Sequence, residues 1–209
     1  INRYKINSNL AIKGSKGKEL QELKRLITNI KNCELKKNST NIVFSDGNPN
    51  SKIMIIGEGP GANEDLEGVP FIGKTGELLD KMLFSINLSR NDVYITNVVN
   101  YRPPENRNPT LEEIARYLPY LTKHVEIIDP KILILLGSSA LNAVIGDEQK
   151  ISEIRGKWIN IKIGKCSTSV IVSFHPAFLM RQPDQKAMSW VDLKMIRKKI
   201  SDLKIKIEK

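Results

Sequence analysis

Four short apolar runs limit what this chain can fold into: KIMIIG (52–57), VYITN (93–97), KILILLG (131–137) and TSVIVSF (168–174). Each is too short for a buried helix, is rich in β-branched residues and stops at a Gly, an Asn or a loop. Each therefore reads as a buried strand. Helical spacing fills the segments between them. Leu20, Leu23, Leu26, Ile27 and Ile30 share one face from Lys18 to about Lys31. Further helices are expected at about 76–86, 111–128 and 186–206, with a short one in SSALNAVIG. Thr110 and Glu113 form a capping box for the 111–128 helix, and Pro119 inside it predicts a kink or a break. A short extended piece is expected at 41–44, a long loop at 58–75, and a further strand in RGKWINIKI. Strands alternating with helices imply an α/β fold with a parallel sheet covered on both faces. Residues 1–16 read as a flexible basic arm and 17–209 as a single domain, with no internal repeat or linker.

Composition adds a direction rather than an answer. The net charge of +10 favours a polyanionic partner, because neutralising phosphates releases counterions. The alternative is a Lys-rich composition whose charges are solvated helix faces, as in Lys194, Arg197, Lys198 and Lys199. No apolar run is long enough to span a bilayer, and the basic N-terminus has no apolar centre that would make it a secretory signal. It opens on Ile rather than Met, which leaves the true N-terminus open. Two cysteines far apart make no disulfide framework, so a cytoplasmic protein is expected.

Ligands of open parallel sheets bind beyond the carboxyl ends of the strands. The loops there are GEGPGANED (57–65), TNVVNYRPPENR (96–107) and FHPAFLMRQP (174–183). Together with GVPFIGKTGELL and RGKW they resemble the family 4 uracil-DNA glycosylases, in order, from about Cys33 to Leu193. The resemblance implies a three-layer α/β/α sandwich with a central four-stranded parallel sheet. It also implies a monofunctional enzyme of base excision repair that flips uracil from DNA and hydrolyses its N-glycosidic bond, leaving an abasic site.

The same resemblance assigns roles. His175 would donate a hydrogen bond to the uracil anion as it forms, a kind of contact that contributes about 3–4 kcal/mol in a dry site. Asn97 would read the N3–O4 edge of the base with the two faces of its amide. Phe71 would stack on the flipped base, which contributes about 1–3 kcal/mol. Gly57, Glu58, Gly59 and Gly61 would line the pocket, and Glu64 would orient the attacking water. Arg155, Lys157 and Arg181 are the candidate phosphate contacts, and Leu179 and Met180 the apolar wedge. Each residue also has a plainer reading: a structural His, an Asn that ends a strand, a core Phe, a solvated Glu.

Two features pull against the resemblance. Gly68–Thr75 fits the nucleotide-binding pattern GxxxxGK[ST], but no strand leads directly into it and Pro70 lacks an amide hydrogen. The family's four cluster-holding cysteines are met only by Cys33; Ile30, Tyr101 and Tyr117 stand at the other three positions. One thiolate cannot hold a four-iron cluster, so no cofactor is expected. The expectation is an active, clusterless monomer acting on uracil-containing DNA, its protein partners open. The alternative is a catalytically silent DNA-binding relative of the same fold.

Overall fold

The computed structural model describes residues 15–146 and 149–207. Its elements run α1 (Ser15–Thr28), α2 (Glu34–Lys37), β1 (Asp46–Gly47), β2 (Ile53–Gly57), α3 (Ala62–Glu67), α4 (Gly73–Ser85), β3 (Tyr94–Asn97) and α5 (Leu111–Ile128). The second half continues with β4 (Ile132–Leu136), α6 (Ser138–Val144), α7 (Ile151–Ile154), β5 (Ile159–Ile163), β6 (Cys166–Ser173), α8 (Pro176–Arg181) and α9 (Lys186–Asp202). The arm expected at 1–16 lies outside the described residues except for Ser15 and Lys16, which open α1.

The sheet order is β1-β3-β2-β4-β6-β5. The central β3-β2-β4-β6 block is parallel, as the four apolar runs imply. The whole sheet has six strands rather than four, because an antiparallel strand is added at each edge. At one edge the cause is local. Ile163 pairs with Cys166 across Gly164 and Lys165, and a two-residue connection can only return the chain antiparallel. Gly164 supplies the positive φ of 55° that this turn requires.

Alternation along the central strands sorts their side chains into two cores. Met54, Ile56, Leu133, Leu135, Val170 and Val172 face α1, α5 and α6. Ile53, Ile55, Ile95, Ile132, Ile134 and Ile171 face α4 and α9. Apolar side chains on both faces make the strands read as unbroken hydrophobic runs. Because α4 follows β2 on one face and α6 follows β4 on the other, a crevice opens between the carboxyl ends of these neighbouring strands.

Several local expectations are corrected. Residues 41–44 form no strand, and 58–75 is not one loop: it contains α3, and α4 begins at Gly73. The 111–128 helix runs through Pro119 unbroken, opened by the Thr110–Glu113 capping box. The 174–183 loop is not irregular throughout: it contains α8.

Candidate active site

A cavity of about 600 Å³ opens over the strand ends. Glu58, Gly59, Gly61, Glu64, Phe71, Asn97, His175 and Arg181 all line it, brought together from four separate segments of chain. Gly57 sits just beneath. Its residue pairs in register with Asn97, and a methyl at its Cα would run into both Asn97 Oδ1 and the Phe71 ring. Glycine is needed here because the backbone must pass close behind two pocket side chains.

Asn97 ends β3 and is 3% exposed. Its Oδ1 is buried and has no hydrogen-bond partner among the described residues. A buried carbonyl left unpaired costs about 1–3 kcal/mol, so this side chain, which lines the cavity, is one that a hydrogen-bond donor would satisfy.

His175 is the N-cap of α8, and its Nδ1 accepts the Ala177 N–H at 3.2 Å. The imidazole proton therefore sits on Nε2. Burial lowers the pKa of His175, Glu58 opposes that shift and Arg181 adds to it. The ring is thus a neutral donor rather than a cation. The Phe71 ring lies 5.3 Å from it, tilted by 31°.

The two acidic groups of the first loop are fixed by backbone amides. Glu58 Oε1 accepts the Ser139 N–H at 3.0 Å, which places the carboxylate over the start of α6. Glu64 is buried rather than solvated. Its two oxygens accept the N–H of Gly61 at 3.1 Å and of Ile72 at 3.0 Å, tying two pocket segments together. Neighbouring Asp65 faces away from the cavity and caps the Thr40 and Asn41 amides.

The DNA-facing expectations divide. Arg155 is bound within the protein: it pairs with the fully buried Asp192 at 2.6 Å and donates to the Met188 carbonyl. Leu179 is 1% exposed and packs in the core, whereas Met180 beside it is 41% exposed. Leu179 is thus held in the core, and the partly buried Arg155 is engaged by Asp192 and the Met188 carbonyl. Lys157 is exposed but outside the cavity, and Arg181 is exposed on its rim. Sequence reasoning missed Lys74, Ser138 and Phe178 as lining residues. Ser138 follows the KILILLG strand directly, so the strand-end rule could have found it. Lys74 belongs to the GxxxxGKT pattern, whose Gly68 is the left-handed end of α3 and not the end of a strand.

At the family's cluster positions, Ile30, Cys33, Tyr101 and Tyr117 are all buried in the α1–α5 core. Cys33 Sγ lies 3.4 Å from the Tyr117 hydroxyl. One thiol, packed against a phenol that fills the adjoining space, does not fit a four-cysteine cluster.

The uracil DNA glycosylase superfamily model matches residues 44–197. A type-4 uracil-DNA glycosylase of Archaeoglobus fulgidus is 38% identical over 181 residues, covering 85% of this chain and 91% of the relative. The type-4 enzyme of Pyrobaculum aerophilum is 38% identical, with 85% and 92% covered. That of Thermotoga maritima is 43% identical over 150 residues, with 71% and 77% covered. With the crevice, the cavity and these relatives in agreement, the chain belongs to the type-4 branch of the uracil-DNA glycosylase superfamily.

Proposed function

We propose that the protein removes uracil from DNA as a monofunctional glycosylase, flipping the nucleotide into the strand-end cavity and hydrolysing its glycosidic bond. The observation that carries this is Asn97, whose buried Oδ1 has no partner among the described residues, lining the same cavity as Phe71 and His175. Uracil N3–H is the donor that this oxygen lacks, and the Asn97 amide N–H group donates to O4. Cytosine presents the opposite polarity at those positions and leaves the site unpaired.

Phe71 holds the ring by stacking. As the bond from the sugar to uracil N1 breaks, the electron pair passes to the base, and His175 Nε2–H stabilises the charge that gathers at O2. Water then bonds to the sugar carbon and loses its proton to solvent. Glu64 lines the cavity with spare lone pairs on both oxygens, so it orients that water while holding Gly61 and Ile72. Glu58 crowds the side of the pocket where thymine would carry its methyl group. Arg181 on the rim and Lys157 outside the cavity contact phosphates, and the exposed Met180 enters the space the base leaves.

The enzyme works as a monomer in the cytoplasm, a setting that suits its two buried free cysteines. It stands without an iron–sulfur cluster, a reading supported by the packing of Tyr117 on Cys33. Colourless purified protein without stoichiometric iron is the expected result; a brown protein carrying about four irons per chain would refute it.

A uracil-containing oligonucleotide, incubated with the protein and then treated with alkali, tests the activity. Cleavage at the uracil is expected, and an Asn97→Ala, His175→Ala double variant should lose it. Wild-type cleavage no greater than that of the double variant would favour a silent DNA-binding relative instead.

A further inference from the structure

Phe71 presents its ring to the cavity from a backbone with φ of 53°, in the left-handed region that phenylalanine rarely occupies. Something must hold it there, and the surrounding groups do so from both sides. Ahead of the ring, the Ile72 N–H is taken by Glu64 Oε1. Behind it stands Arg90, which opens the short turn before β3. Its Nη2 donates to the Phe71 carbonyl, and its Nη1 to the Pro70 carbonyl at 3.2 Å. Nη1 also meets Asp46 Oδ2 at 2.6 Å, and Nε meets Asp80 Oδ1 at 2.7 Å. The Arg90 side chain is 12% exposed, that of Asp46 4% and that of Asp80 39%. Gly76 completes the seat, because a Cβ there would collide with the Phe71 carbonyl.

We propose that Arg90, fixed between Asp46 and Asp80, is the positioning residue that sets the plane of Phe71 against a flipped uracil. Arg90 does not line the cavity; it acts through the Pro70–Phe71 backbone. Asp46 belongs to the edge strand β1 and Asp80 to α4, so the fork joins sheet and helix at the stacking wall. A guanidinium can do this because its planar donors reach two carboxylates and two carbonyls at once, whereas the point charge of a lysine cannot. The inference rests on the reading of Phe71 as the stacking face.

Free uracil reports on the wall without DNA, so its inhibition constant is the decisive measurement, taken with kcat and KM on a uracil-containing oligonucleotide. In Arg90→Lys, inhibition by uracil should weaken about tenfold and kcat fall about as much, with KM within about threefold of wild type. Asp80→Asn, which leaves Arg90 with Asp46, should show the same pattern at about threefold. Repeating Arg90→Lys in a Phe71→Ala background should change either constant by less than about twofold, because the ring being positioned is gone. A folded Arg90→Lys protein with wild-type uracil inhibition overturns the proposal, as do equal losses in both backgrounds. If Arg90→Lys does not fold, Asp80→Asn decides by the same comparisons. Wild-type uracil inhibition in Phe71→Ala alone would instead overturn the stacking reading, and the clamp with it.

Discussion

Above β2 and β3, the Asn97 oxygen is buried with no partner among the described residues, and His175, which lines the cavity, keeps its hydrogen on Nε2. Between α1 and α5, Cys33 and Tyr117 are just as buried, but each polar atom there meets the other at 3.4 Å and the volume is filled. Both places derive from the same family pattern, and they differ in what their polar groups are for. Unpaired groups lower the stability of the folded protein and keep free energy available for a ligand. Paired and packed groups stabilise the fold and leave nothing for a ligand to complete. The difference predicts that substitutions in the two places move different measurements.

The largest effects belong to the cavity. Asn97→Ala or His175→Ala alone should lower kcat/KM by about 10²–10³. In a calorimeter, Asn97→Ala should unfold no lower than wild type, since an orphaned carbonyl has been removed. A clear drop in its melting temperature would break the comparison, by showing that Asn97 supports the fold. In the α1–α5 corner the pattern should invert. Tyr117→Ala should cost about 3–5 kcal/mol in urea unfolding while kcat of the folded fraction stays within about twofold. A loss of turnover as large as the cavity variants produce would mean that the corner reaches the site.

A third buried pair sharpens the contrast. His124 shares a 2.6 Å hydrogen bond with Tyr94 and stacks on Phe44, and burial pushes its pKa down to about 3. The unfolded chain takes up a proton below about pH 6.5 that the folded protein refuses. Stability is therefore full above that pH and declines as pH falls toward the folded value, by about 1.4 kcal/mol per pH unit. Urea midpoints between pH 7 and 4.5 should show this slope, and His124→Gln should flatten it; an unchanged slope would assign the effect elsewhere. The smallest expected effect is that of an iron chelator, which should alter neither turnover nor melting temperature if the corner holds no metal. Loss of either on chelation would undo the distinction between the two regions.

Much of this was legible in the sequence, for reasons that the misses make clear. The central strands were readable because both faces are buried, and the cavity because it lies where strands of such a sheet end. Helix α3 was not, because its buried residues are Glu64 and Asp65, while its one large apolar residue, Leu66, is exposed. An acidic buried face leaves no hydrophobic period to detect. Helix α8 is too short for a period, and its cap is an imidazole rather than a hydroxyl or carboxylate. The pairing of Arg155 with Asp192 was not legible because the two lie 37 positions apart. Arg90 went unnoticed for the same reason, its partners Asp46 and Asp80 being 44 and 10 positions distant. Long-range pairing of charges leaves no mark on local spacing.

The amide hydrogen that Ala177 gives to His175 bears on what is left after each reaction cycle. With Nδ1 occupied as an acceptor, the ring has one hydrogen to offer and no vacant lone pair facing the helix with which to collect another. In the proposed reaction it lends that hydrogen without parting from it, and the base leaves as an anion that takes its proton from bulk water. The imidazole is then already as the next uracil must find it, and no recharging step stands between one lesion and the next.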